Sequence, residues 1–570
     1  MLSNSVAGQI VPAPDARLNY TQIMFEHDRV KGASEYLIEV IRQDENDSTF
    51  MHPAFSQRDS STATMISNFE FDKKYLWRYT GLDKGKELGW HGPYNFEISN
   101  NIHANRNFYR ARVIHNDSSA NAGGLIIMDI SRSIVDRNGN CVWYMPRDTE
   151  EAGVHVAPNL PGIMIDDLRI SPFGTITYLI AGRAEERALN GKLLWQGPLE
   201  DPSSDSLHPG RSTHFHHCFE RLRSGNYMVL DRDSVAIRTD TGYVYVEDEI
   251  IREFDKDKKQ VWRWGSEYYL DSADMQKIIR GKRDSGLLDP TPGGHLNAFY
   301  ADEENGYIYA GFRNISRIIK IDKKMKKVVS EWGDGMKNGD GFFSKQHGLD
   351  LLRDGSVAVF SNGDREPPAG QKTPLYSSIV NFSQPSNNQK SKVTWQFDCV
   401  LDSVNYQSLR GGNVDELNNG NLLLCMGAVN RVIEVSRTKK VVWSAIIERK
   451  GRKNEGWIRL PLNMAHYTSS LYPYYFTIQN YTDTLWGNDK VYRLRIFNDG
   501  SEEDSYNISI NSSLGNIYKS QSPVILSHSS LTIDLPADSI RGKGEKMVVT
   551  VQSKTNTEML RSLYVQVISR

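Results

Sequence analysis

The chain has 570 residues, with 68 Lys and Arg against 70 Asp and Glu and a formal net charge of −2. That length exceeds one ordinary core, so two to four domains are expected. The near-neutral balance gives no electrostatic footprint for nucleic acid or an anionic membrane. No apolar run reaches the roughly 18 residues that span a bilayer, and the opening MLSNSVAGQIVPAP lacks the basic and apolar regions of a signal peptide. Cys141, Cys218, Cys399 and Cys425 have no CxxC spacing, which excludes a disulfide framework and a thiolate zinc ribbon and leaves at most one isolated bridge. The 27 Tyr, 11 Trp and 44 Gly suit an all-β protein.

Residues 1–100 read as a small fibronectin-like β-sandwich, because "SEYLIEVIRQ" and "KKYLWRYTGLDKGKELGWHGPYNFEI" are short strands with polar turns. Residues 101–468 repeat a unit of four strands. Its third-to-fourth hairpins are plainest in "SIVDRNGNCVWYMP", "REFDKDKKQVWRWG", "IIKIDKKMKKVVSEWGD" and "VIEVSRTKKVVWSAII". Six units end at Trp143, Trp195, Trp262, Trp332, Trp395 and Trp443, which predicts a six-bladed β-propeller closed into a ring. Residues 469–570 return to alternating strands, among them "KVYRLRIFNDGSEEDSYNISI" and "EKMVVTVQSK", and predict an immunoglobulin-like sandwich.

In a propeller the first strands of all blades line one channel and run the same way, so residues at equivalent strand starts converge on one mouth. His217 lies eight residues before Gly225 and His347 eight before Gly355; Asp166 and Gly412 fill the same slot before Gly174 and Gly420. His295 precedes Gly306 by eleven, with the longer turn "ADEENG" accounting for the difference. Seven residues after the turn glycines come Arg232, Arg313 and Asn362, where the second strand returns to that mouth. His295 should therefore face Arg313 across one hairpin, and His217 face Arg232 across another.

Arginine forks two donors onto paired oxygens, and a neutral imidazole can donate, accept or attack. Nearby cations keep an imidazole unprotonated. Few carboxylates share these positions, which argues against a two-carboxylate glycosidase and against a hard metal. The set points to transfer of a sulfuryl or phosphoryl group. His214, His216 and Cys218 share one strand face and form a weaker soft-metal set without a clear fourth ligand. A hydrogen-bonded structural role is expected for His155, His208 and His466; Arg232 reads as a rim charge or an anion contact, and Arg365 as a rim charge or a substrate contact.

The segments "FHHCFERLRSGNYMVL", "HLNAFYADEENGYIYAGFRNISRIIKID" and "SKQHGLDLLRDGSVAVFSNGD" together resemble the PAPS-independent bacterial aryl sulfotransferases, over about residues 105–450. The resemblance implies a ping-pong transfer in which His347, the histidine of the QH motif, becomes transiently sulfated. His295 and Arg313 match residues that bind the sulfuryl and bridging oxygens. His217 or His216 of the HH pair completes the cradle, Asn297 matches the asparagine of the H-x-N motif, and Asn362 is added as a substrate contact from its register. No metal or diffusible cofactor is implied; the partners are a phenolic sulfate donor and a phenolic acceptor. The family is usually exported, so a periplasmic or secreted location is the expectation, and the flanking sandwiches are assigned no more than dimerisation or substrate presentation. Cys218 stands where the family carries an aspartate, and Asn314 where it carries a histidine. Two other readings stay open at this point: an arylsulfatase-like hydrolase using the same intermediate, and a non-catalytic secreted propeller that binds partners through its rim.

Overall fold

The computed structural model describes residues 10–43, 49–99, 109–145, 165–200, 213–239, 242–271, 273–275, 278, 293–336, 339, 341–363, 376–384, 390–451, 455–486, 489–512, 515–537 and 546–568. The chain divides into two compact units, Met1–Ile102, Pro172–Thr175 and Ser469–Arg570 in one, His103–Ser171 and Ile176–Thr468 in the other. No helix among the described residues is long and apolar enough to cross a membrane, and all four cysteines are free.

The first unit holds both flanks. Its N-terminal part sets a five-stranded sheet beside the pair Ile23–Glu26 and Ala63–Ile66. Alternation sends Phe25, Ile38, Val40, Trp77 and Phe96 into one core. Its C-terminal part has a three-stranded and a five-stranded sheet around Leu494, Ile496, Ile508, Val549 and Val551. Arg561 Nη2 donates to Glu26 Oε2 at 2.8 Å and the Ser61 and Thr477 hydroxyls lie 2.7 Å apart, so the two parts are pinned by polar contacts.

The second unit is a β-propeller. Its first strands are Ile165–Ile170 (β1), Phe219–Arg221 (β2), Leu296–Asp302 (β3), His347–Leu351 (β4), Asn413–Glu416 (β5) and Ala465–Thr468 (β6), each opening a sheet of antiparallel neighbours. β1 to β5 each lead the three strands that follow them in the chain. β6 instead pairs with Leu125–Met128, near the start of the unit, at Ala465↔Met128 through Thr468↔Leu125, and the strand before Leu125–Met128, Tyr109–Asn116, pairs with Val441–Lys450. The β6 pairing removes the sheet edge that an open row would leave. Around the axis β3 lies against β4, β4 against β5, β5 against β6, and β6 against β1.

Five of the six repeat tryptophans lie on the outermost strand of their sheet; Trp443 lies on Val441–Lys450, the fourth strand of its sheet, beyond which Tyr109–Asn116 and Trp457–Arg459 pair. Trp143, Trp262, Trp395 and Trp443 each donate their indole N–H at 2.8 Å to a backbone carbonyl of the following sheet, at Leu189, Lys323, Arg437 and Arg137. Trp332 does the same to Ser391 Oγ at 2.7 Å. The Trp443 bond runs from the last sheet to the first and closes the ring a second time. Trp195 departs from the pattern: its Nε1 finds no partner among the described residues, and the ring stacks on Tyr227 at 3.7 Å. The inner turns are alike because Gly174, Gly225, Gly306, Gly355 and Gly420 all have φ between 71° and 90°. A Cβ at Gly306, Gly355 or Gly420 would meet nothing within 4 Å, so conformation and not space requires glycine there.

Carboxylates on the first strands reach sideways and cap the next sheet. Asp350 Oδ2 accepts from Glu416 N at 2.9 Å, Asp415 Oδ2 from Tyr467 N at 3.0 Å, and Asp167 Oδ2 from Phe219 N at 2.7 Å. His466, on the ring-closing β6, is clamped between two of them, with Nε2 at 2.9 Å from Asp167 Oδ1 and Nδ1 at 3.0 Å from Asp415 Oδ2. Arg169 Nε adds a 2.7 Å bond to Asp167 Oδ1. Burial and Arg169 work against a charge on His466, but Asp415 and Asp167 outweigh them and raise it to about 9. Burial would likewise raise Asp167, yet Arg169 and His466 hold it at about 2. Arg169, Asp415 and His466 line a cavity of about 160 Å³ within the channel, together with Cys218, Glu220 and Asp350.

Two expectations follow from this construction. Trp443 is fully buried and Trp262 only partly, so Trp443→Ala should cost about 3–5 kcal/mol in chemical denaturation and Trp262→Ala measurably less; equal costs would contradict the packing account. His466 lies above its ordinary 6.5 in the folded chain, so its stabilisation is complete below pH 6.5 and is lost as pH rises through about 9. Thermal midpoints of the wild type should fall across that window, and His466→Gln should lack this fall. Parallel pH curves for the two would refute the clamped imidazolium.

Candidate active site

Residues at the entry to β2, β3 and β4 form the site: His217 and His295 just ahead of β2 and β3, and His347 as the first residue of β4. The chain reaches His217 and His295 with φ of 58° and 57°, a left-handed conformation that is uncommon outside glycine and concentrates where backbone is held for function. In the His347 sheet the left-handed residue is Gly348, at φ 51°, and a bulge follows between His347 and Leu349. A second bulge lies between Leu296 and Ala298. Such irregularities re-aim side chains at a strand end, and here they turn three imidazoles toward one another.

His217 lies 4.9 Å from His295 and 5.8 Å from His347, measured between ring centroids, and each ring offers a nitrogen within 4.8 Å of the others. His216 stands behind His217, with the two Nδ1 atoms 2.8 Å apart. Of the HH pair, then, His217 faces the cluster and His216 backs it. Across the third hairpin the Arg313 amide donates to His295 O at 2.9 Å, so these two residues are opposite one another. The matching expectation for His217 is corrected by the structure: the backbone of Leu230 bonds to His216 and Cys218 at 3.1 Å and stands opposite His217, while Arg232 lies two residues further on with an exposed side chain. Its charge nonetheless reaches His216, His217 and His295.

Every imidazole of the cluster is held neutral. Burial lowers His217, helped by His295, Arg232 and Arg313, to about 3. Burial lowers His295 to about 3 as well, helped by Arg313, His216, Arg232 and Lys345. His347 is pushed well below the usual range by burial, then by His217, His295 and Arg313. Its Nδ1 is buried and finds no hydrogen-bond partner among the described residues.

The supporting residues are set by hydrogen bonds. Asn297 Nδ2 donates to the carbonyl of Gln346 at 3.0 Å and so grips the peptide directly ahead of His347. Gln346 in turn donates to the carbonyls of Phe312 and Arg317 at 3.1 and 2.9 Å. Asn362 commits its amide nitrogen to Ser408 O at 2.6 Å and Gly411 O at 3.2 Å. The loop it holds supplies Leu409 O, which accepts from Arg313 Nη2 at 2.8 Å. Asn362 thus bears on the site through Arg313. Asn314 donates to Gly293 O at 2.9 Å, beside the turn that presents His295.

Lys345 was not singled out by register. Its Nζ lies 3.0 Å from Asn314 O and its charge acts on His295; a cation two residues ahead of His347 in "SKQH" was the available signal. The soft-metal set is not assembled: His214 is exposed, while Cys218 is buried with Sγ 3.8 Å from Phe299 O and from Arg169 Nη2. Among the described residues the metal-like grouping is His217, His295 and His347. The surrounding Arg313, Arg232 and Lys345 oppose a dication there and favour an anion. His155, His208 and Arg365 lie outside the described residues.

Matches among solved structures are distant. A Bacteroides caccae protein of unknown function matches at 12% identity over 60% of this chain and 98% of its own, with a TM-score of 0.36. The β-propeller domain of Myceliophteria thermophila Cps50 (Swd1) matches at 10% identity over 51% of this chain and 93% of its own, with a TM-score of 0.29. A Staphylococcus aureus virginiamycin B lyase matches at 10% identity over 61% and 90%, also at 0.29. No curated protein sequence matches the chain. The arylsulfotransferase (ASST) family model, by contrast, matches residues 113–472, which span the propeller strands and all of the converging histidines. The chain belongs to the arylsulfotransferase family.

Proposed function

We propose that this protein moves a sulfuryl group from a phenolic sulfate ester to a phenolic acceptor through a sulfohistidine on His347, with no nucleotide donor. The family supports aryl sulfotransferase activity. The observation that carries the finer reading is the convergence of three neutral imidazoles among Arg313, Arg232 and Lys345. A neutral imidazole has a lone pair to attack with, and cations placed around the sulfur stabilise the charge that develops on its oxygens.

In the first half-reaction the His347 imidazole attacks sulfur, the N–S bond forms, and the ester S–O bond breaks to release a phenolate. Arg313 and His295 hold the sulfuryl oxygens. The phenolate takes its proton from water. In the second half the acceptor phenol loses its proton to neutral His217, which is hydrogen-bonded to His216, its oxygen attacks sulfur, and the N–S bond breaks. Positioning and fixed charge supply most of the rate, as in loose phosphoryl transfer.

Release of phenol from an aromatic sulfate ester, with and without an added phenol, tests this. Acceptor-dependent release with parallel double-reciprocal lines is expected, and His347→Ala should lose about a thousandfold or more of kcat. Wild-type rates in His347→Ala would sink the reading, and release independent of acceptor would make the enzyme a hydrolase. The acid limb of kcat/KM should lie well below pH 6.5, because His217 and His295 sit at about 3. A limb near 6.5 would mean that an ordinary histidine governs the reaction.

A further inference from the structure

Cys218 follows the paired histidines and brings no carboxylate to the turn that presents His217. Its thiol is buried, and burial keeps it in the neutral form. A carboxylate arrives from the neighbouring sheet instead. Asp167, fully buried inside β1 where its register shifts between Asp166 and Arg169, accepts the Phe219 amide proton on Oδ2 at 2.7 Å. Phe219 is two residues beyond His217, where the chain leaves its left-handed turn and becomes β2. We propose that Asp167 is the positioning residue for His217 in sulfuryl transfer, supplying from β1 the carboxylate that Cys218 does not.

Three observations support this. The amide of Phe219 is in a fully buried residue, so losing its acceptor would leave a costly orphan and free the turn to relax. A left-handed histidine persists only when its surroundings over-determine it, and Asp167 is itself fixed twice over on Oδ1, by Arg169 Nε at 2.7 Å and His466 Nε2 at 2.9 Å. Finally, the charges acting on His217 from other elements include Arg232, Arg313 and His295, and Asp167 opposes them. The groups around Asp167 are Arg169, His466, Cys218, Glu220, Asp166 and Asp415. Arg169 and His466 keep it ionised.

The proposal rests on the sulfuryl-transfer reading of His217, so its test needs one readout that does not require turnover. Diethyl pyrocarbonate acylates neutral imidazoles, and peptide mass spectrometry reads the rate at each histidine. In folded Asp167→Asn, kcat should fall about tenfold to a hundredfold with donor KM nearly unchanged. Acylation of His217 should quicken by about threefold or more as the turn relaxes, while His295 is little affected. Adding Cys218→Asp to that variant should restore both. Wild-type kcat and His217 acylation in folded Asp167→Asn would overturn the proposal, as would equal quickening at all the clustered histidines, which marks general loosening. Should Asp167→Asn not fold, Asp167→Glu decides: it keeps the charge but displaces the acceptor, and wild-type His217 acylation there would overturn the proposal. A wild type that releases no phenol would refute sulfuryl transfer, while the acylation contrast would still decide the role of Asp167.

Discussion

The channel mouth depends on one pairing, that of Ala465–Thr468 with Leu125–Met128. A row of sheets that ended unpaired would carry an exposed edge and could spread apart, and the first strands would share no axis. Once the ring is shut, each first strand is held by its neighbours on both sides. Side chains drawn from positions as far apart as His217 and His347 can then be kept within a few ångströms. The indole of Trp443, reaching back to Arg137 O, reinforces the seam from outside. From within, Asp415 does the same by accepting from Tyr467 N.

Histidine is used in two opposite ways along this axis. In the cluster, burial and surrounding cations strip the charge from His217, His295 and His347 and leave lone pairs available. On the closing strand, His466 is just as deeply enclosed, but two carboxylates charge it. Burial alone does not choose between these states; the sign of the neighbours does. The charged histidine braces Asp167, whose other oxygen reaches the strand that carries a neutral one.

Much of this was legible in the chain. Counting residues to turn glycines places His217, His295, His347 and Arg313 at one mouth, because blade geometry converts register into position. The tryptophans mark the outer strands for the same reason. What register could not supply was direction. Asn362 counts into the same slot as Arg313, yet it stands two residues past Phe360, the residue paired with His347, and its amide turns to Ser408 and Gly411. Arg232 counts into the same slot as Arg313 but stands past Leu230 with its side chain exposed. His466 reads from the sequence only as a hydrogen-bonded structural residue, which it is, but its partner Asp167 gave no signal, since the pairing that brings β6 to β1 joins the end of the repeat to its start and has no short-range trace. The order of His216 behind His217 likewise depends on the left-handed φ of His217, which is not encoded in the residue type.

The most direct test of the account is the chemical state of His347 after exposure to an aromatic sulfate ester with no acceptor present. Peptide mass spectrometry should find one sulfuryl group, labile to acid, on the peptide containing His347, and addition of a phenol should remove it as the sulfated phenol appears. A sulfuryl group on any other residue, or phenol release with His347 unmodified at every time point, would contradict it.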